Sequence, residues 1–172
     1  MDGLELLKND HKRILFIINE LINELTGKVN QTDEENGGQR PEMFGKLREI
    51  LTEHLDIEER TLFRNLKGFV DTNMLVDECY EEHLRIDETL KKIEKLPQET
   101  QRAGCADLLA ELERRVETYV VREEDWLFPK AKLLLGDAKL EKMFFEIEQT
   151  RSNQSEIDSL IFPSDRFGVG YK

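Results

Sequence analysis

Two stretches decide the fold: KLREILTEHLDIEERTLF at Lys46–Phe63 and ELERRVETYVVREEDWLF at Glu111–Phe128. Laid over each other, they match Leu47 to Leu112, Glu58 to Glu123, Glu59 to Glu124, Leu62 to Leu127 and Phe63 to Phe128. Both space their apolar residues three and four apart, which is the stripe of an amphipathic helix and not the alternation of a strand. A looser echo lays Asp10-His11-Lys12-Arg13-Ile14 on Glu82-His83-Leu84-Arg85-Ile86. The chain therefore reads as a helical hairpin used twice.

Working outward, Leu4, Leu7, His11, Ile14, Ile18, Leu21 and Leu25 mark a first helix that stops at Gly27, and Lys28–Arg40 reads as a solvated loop. The second helix starts near Pro41, turns Leu47, Ile50, Leu51, His54, Glu58 and Leu62 inward, and closes at Lys67-Gly68. Asp71 or Thr72 is expected to cap a third helix with Leu75, Cys79, His83, Ile86, Leu90 and Ile93 inward, running until Pro97. The fourth starts near Thr100, faces Leu108, Leu112, Val116, Tyr119, Glu123, Trp126 and Leu127 inward, and should end or kink at Phe128-Pro129. After Gly136-Asp137, a shorter fifth helix spans Lys139–Gln149. The expected fold is all-α: an up-down-up-down four-helix bundle with a short fifth helix over residues 1–150, then an irregular C-terminal tail over 151–172.

Composition narrows the function. The 172 residues suit one domain, and 38% hydrophobic content can close one core. With 25 Lys plus Arg against 37 Asp plus Glu, a net charge of −12 disfavours nucleic acid and anionic membrane as partners. No apolar run is long enough for a bilayer and no leader pattern opens the chain, so a cytoplasmic location is expected. Two cysteines, Cys79 and Cys105, read as reduced thiols.

The chemistry lies in residues that break the apolar stripes. All three histidines, His11, His54 and His83, fall on core-facing positions, and the two related helices place Glu58 and Glu123 at one register. Residues four apart on a helix stand about 6 Å along the axis and about 40° around it, so His54 and Glu58 can point at one centre. Tyr119 and Glu123 repeat that spacing. Two buried carboxylates repel each other and are costly to desolvate, and a bound cation removes the penalty. Mixed imidazole and carboxylate donors fit iron, zinc or manganese; two bridging carboxylates with terminal imidazoles best suit a pair of irons.

The spaced set His11, His54-x-x-x-Glu58, His83 and position-x-x-x-Glu123 resembles the hemerythrin-like, or HHE cation-binding, domain, from about Leu4 to Gln149. The resemblance implies a four-helix bundle holding two non-haem iron ions, and carries over His11, His54, Glu58, His83 and Glu123 as metal ligands. Where the family pattern has a fourth histidine, this chain has Tyr119. Three roles are open to it: phenolate ligand, hydrogen-bond donor beside a coordination position, or core packing. Phenolate ligation is the reading carried forward, since a ferric ion stabilises a bound phenolate. Such a ligand favours the ferric state, and so peroxide or nitric oxide chemistry or redox sensing over reversible dioxygen carriage. The implied partner is a small diatomic ligand or peroxide. If the chain is an enzyme, catalase-like peroxide disproportionation is the specific expectation.

Other readings stand beside this one. The histidines could be satisfied core residues bonded to Glu58 and Glu123 in a metal-free helical interaction domain, or metal could fold an iron-sensing or iron-storing module. Asp87, four after His83, is a spare ligand candidate, although an exposed helix-face acid is its ordinary role. Glu59 and Glu124 read as solvated or as supports for the ligands. Trp126 and Phe63 are expected to pack beside the site, with any open position facing Trp126. Cys79 reads as a small buried apolar residue.

Overall fold

The structure, a computed structural model, describes residues 2–27, 39–96 and 101–161. Helix α1 spans Gly3–Leu25. Asp2 opens it with a capping box: its carboxylate accepts from the Glu5 N–H at 3.0 Å while Glu5 accepts from the Asp2 N–H at 2.8 Å. Gly27, at φ 72°, ends it in the left-handed conformation that glycine adopts freely. Helix α2 spans Gln39–Glu58, passes into a π-helical turn at Glu59–Phe63 and finishes as the short α3, Arg64–Leu66. Helix α4 covers Val70–Glu94. Helix α5 covers Gln101–Arg122 and enters a second π-helical turn at Glu123–Leu127, from which α6 runs over Phe128–Ile161.

The long helices form a ring in which α1 packs on α2 and on α5, α4 packs on α5, and α2 touches α4 more lightly. Cross-contacts fix the directions. Arg48 pairs with Glu94 while Glu58 meets His83, and Arg122 meets Glu78 while Tyr119 meets His83, so each pair is antiparallel. The bundle is up-down-up-down, and α6 lies against α1 and both π turns. Leu7, Ile14, Ile18, Leu47, Leu51, Leu62, Ile86, Leu112 and Val116 are buried in one continuous core. No helix among the described residues is long and apolar enough to cross a membrane.

Several sequence expectations shift. The cap expected at Asp71 or Thr72 does not form: Phe69 precedes α4 without a side-chain cap, and the Thr72 hydroxyl instead donates to the Leu66 carbonyl at 2.9 Å, clamping the link between α3 and α4. In α5, Leu109 is buried where Leu108 was expected and Leu108 is only partly covered. The helix does not stop or kink at Pro129. The π turn has already interrupted the i→i−4 ladder there, so a residue without an N–H is easily accommodated. The kink falls at Gly136, with φ 71° and ψ 167°, and α6 then continues to Ile161, past the expected boundary at residue 150. The loop read over Lys28–Arg40 lies outside the described residues except for Gln39 and Arg40, which open α2; Pro97, Thr100 and the tail over 162–172 lie outside them altogether.

Candidate metal centre

Four helices each contribute to one buried cluster in the middle of the bundle. α1 supplies His11, α2 supplies His54 and Glu58, α4 supplies His83, and α5 with its π turn supplies Tyr119 and Glu123; none of the six is more than 3% exposed. Glu58 sits at the centre. Its Oε1 lies 3.1 Å from His54 Nε2 and 3.6 Å from His11 Nε2, whereas its Oε2 lies 3.4 Å from His83 Nε2 and accepts a short hydrogen bond from the Tyr119 hydroxyl. Glu123 Oε2 is 3.2 Å from His11 Nε2. One carboxylate thus faces two pairs of donors with its two oxygens.

The two π turns explain why repeated sequences build a shared site. Hydrogen bonding to the fifth residue brings positions five apart onto one face. Phe63 follows Glu58 by five and packs on the His83 ring at 5.1 Å between centroids, and Phe128 follows Glu123 by five and stacks on the His11 ring at 5.8 Å and 13°. The residue after each central glutamate holds the outer nitrogen of the same histidine: Glu59 lies 2.8 Å from His83 Nδ1, and Glu124 lies 2.8 Å from His11 Nδ1. The widened turn also rotates Trp126 outward. It is 61% exposed, so it neither lines the site nor marks an open position, contrary to expectation. Asp87 is exposed and pairs with Lys91, away from the cluster. Cys79 is buried and unbridged.

The third histidine has a support that the sequence reading missed. His54 Nδ1 is 3.4 Å from Asp10 Oδ2, and the same oxygen pairs with Arg151 of α6. The sequence signal for it is the repeated acid-His step, Asp10-His11 and Glu82-His83. With each Nδ1 facing a carboxylate, a neutral ring presents its Nε2 lone pair to the centre, the tautomer a metal requires.

The electrostatics show the strain of this arrangement. Burial acts to lower the pKa of His11, but Glu123 and Glu58 more than offset it and raise the value to about 10; His54, governed by burial against Glu58 and Asp10, is raised to about 9. Glu58 is held well below the usual carboxylate range: burial disfavours its charge, and the surrounding histidines outweigh that effect. Glu123 is raised, first by burial and then by repulsion from Glu58, so the two carboxyl groups do not ionise alike. The Tyr119 phenol is pushed well above its ordinary range by burial and by both glutamates.

Protein contacts alone leave the centre unsatisfied. Among the described residues, five buried polar side-chain atoms make no hydrogen bond: Nε2 of His11 and of His54, Oε1 of Glu58, and both carboxylate oxygens of Glu123. They approach within ion-pair distance yet miss hydrogen-bond geometry. Buried polar groups are nearly always satisfied. His11, His54, Glu58 and Glu123 each offer a donor atom within 4.8 Å of the others, a spacing that suits a single cation. His83 and Tyr119 adjoin this group through Glu58 and bond to each other, Nε2 to hydroxyl, at 2.8 Å.

Residues 2–156 match the model of the Hemerythrin HHE cation binding domain. No curated protein and no solved structure matches the chain.

Proposed function

The chain belongs to the hemerythrin HHE cation-binding family, and from that premise we propose that it is a non-haem di-iron protein that binds or reacts with dioxygen, peroxide or nitric oxide. The observation that carries this reading is the set of five unpartnered atoms on His11, His54, Glu58 and Glu123 at the core of the bundle. Two buried carboxylates and two imidazoles turned on one point cost several kcal/mol when left unpaired, and cations offset that cost. Imidazole, carboxylate and phenol oxygen together form a donor set suited to iron.

When bound, an iron pair supplies two redox equivalents and Lewis acidity toward a small oxygen or nitrogen ligand. The chain's own residues supply the rest. Glu58, whose two oxygens face both sides, and Glu123 would be shared carboxylate donors, His11 and His54 would hold one cation, and His83 with Tyr119 would hold the other. Phe63 and Phe128 pack on the outer faces of His83 and His11 and exclude water there. In the metal-free chain the Tyr119 hydroxyl donates to Glu58, and the contacts Tyr119–His83–Glu59 give that proton a path to the half-exposed Glu59 carboxylate when the phenol oxygen takes up a cation. Catalase-like peroxide disproportionation, which moves protons between oxygens but consumes none overall, is the specific enzymatic reading. Two unbridged cysteines suit a reducing, cytoplasmic setting.

Elemental analysis of protein expressed with iron, together with its oxidised visible spectrum, tests the proposal. Iron approaching two equivalents and a phenolate-to-ferric absorption that disappears in Tyr119→Phe support it. Less than about half an equivalent of any metal would instead identify a metal-free interaction domain.

A further inference from the structure

We infer that the two cation positions are unequal: His11, His54, Glu58 and Glu123 form a position that loads first, whereas the His83–Tyr119 side is closed by its own hydrogen bonds and admits a cation only by breaking them. The inference rests on the metal-binding function proposed above. All five unpartnered buried atoms belong to the first four residues, and none to His83 or Tyr119. The first four donors already lie within one cation's reach. On the other side both nitrogens of His83 are engaged, Nδ1 by Glu59 and Nε2 by Tyr119, and the Tyr119 hydroxyl is donated to Glu58.

The internal repeat shows how the inequality arose. His54 and Tyr119 occupy equivalent registers, as do Asp10 and Glu82. On the first side Asp10 holds His54 Nδ1. On the second side Tyr119 offers no ring nitrogen, and the buried Glu82 pairs with Arg85 instead. A histidine at 119 would thus meet a chain that still carries the equivalent carboxylate.

Entry at the second position forfeits two hydrogen bonds that involve charged or strongly polarised partners, so its affinity falls roughly 10- to 100-fold below the first. The test is calorimetric titration of the metal-free full-length chain with cobalt(II), followed by the cobalt ligand-field bands. Wild type should take one tight equivalent and a second at least about 10-fold weaker. His54→Ala should lose the tight equivalent, and Tyr119→Phe the weak one. Tyr119→His should bring the second affinity toward the first, and adding Glu82→Ala should undo that gain. Two equivalents of indistinguishable affinity in wild type, or loss of the tight equivalent in Tyr119→Phe with its fold intact by circular dichroism, would overturn the inequality while leaving metal binding standing. Absence of cobalt binding in both wild type and Tyr119→His would overturn the proposed function itself.

Discussion

Glu124 lies 2.8 Å from Nδ1 of His11 and is the residue immediately after Glu123, whose carboxylate lies 3.2 Å from Nε2 of the same ring. Consecutive glutamates therefore grip one imidazole from both ends, and Glu58-Glu59 does the same to His83. The outer carboxylate fixes ring orientation and strengthens the inner nitrogen as a donor.

Glu124→Gln and Glu59→Gln should each lower cation affinity about 10- to 100-fold without unfolding the bundle. Competition with a chromophoric chelator measures the affinity, and far-ultraviolet circular dichroism checks the fold. Glu124→Gln should act on the tight equivalent and Glu59→Gln on the weak one. Equal loss at both would mean that the carboxylates act only through overall charge.

The two central glutamates should differ in what they do for the metal-free chain. Glu58 is surrounded by His11, His54, His83 and the Tyr119 hydroxyl, so Glu58→Gln leaves buried positive charge uncompensated and should cost about 3 kcal/mol. The Glu123 carboxyl is pushed up first by burial and then by repulsion from Glu58. Glu123→Gln should leave the metal-free Tm unchanged or raise it while abolishing tight cobalt binding. Thermal melts in a chelator check both, and a marked fall in Tm for Glu123→Gln would contradict the repulsion.

The inward faces of α1, α2, α4 and α5 were legible because helical spacing is periodic, and His11, His54, Glu58, His83, Tyr119 and Glu123 were conspicuous as polar residues on those faces. The π turns were not legible. Leu62 and Leu127 keep the ordinary i+4 spacing from Glu58 and Glu123, so the extra residue per turn leaves no mark on the apolar pattern. That one residue accounts for the misplacement of Trp126 and for the helix continuing through Pro129. Residues 151–161 lack an apolar stripe, so nothing in their spacing marks the helix. The Asp10–Arg151 pair joins opposite ends of the chain, beyond what local spacing can reveal.

That pair ties α6 to a proposed ligand. Asp10 faces both His54 and Arg151, and both partners of the ion pair are only partly exposed. Arg151→Ala should cost up to about 1 kcal/mol in denaturant unfolding, because a pair near the surface contributes modestly. Asp10→Ala also frees His54 Nδ1, and should weaken the tight cobalt equivalent about 10-fold or more. If Arg151→Ala weakens cobalt binding as much as Asp10→Ala does, α6 controls the ligand and not merely its own docking.

Acidity should move stability and metal loading in opposite directions. In the metal-free chain burial acts to lower the pKa values of His11 and His54, but Glu58, with Glu123 at His11 and Asp10 at His54, raises them to about 10 and about 9 from an ordinary value of 6.5. A raised folded-state pKa gives stability that is full below the unfolded value and lost as pH rises through the folded one. Glu123, also raised, has the same sign; Glu58, lowered, works the other way and withdraws its contribution only in acid. The metal-free Tm should therefore fall between pH 7 and pH 10. Over that window cobalt affinity should rise, by up to about tenfold per pH unit for each proton displaced, because a ligating imidazole must be neutral. Melts in chelator and cobalt titrations at matched ionic strength provide the check. A metal-free Tm that stays level from pH 7 to pH 10 would mean that Glu58 and Glu123 do not hold protons on the histidines, and that the cluster is less dry than its burial indicates.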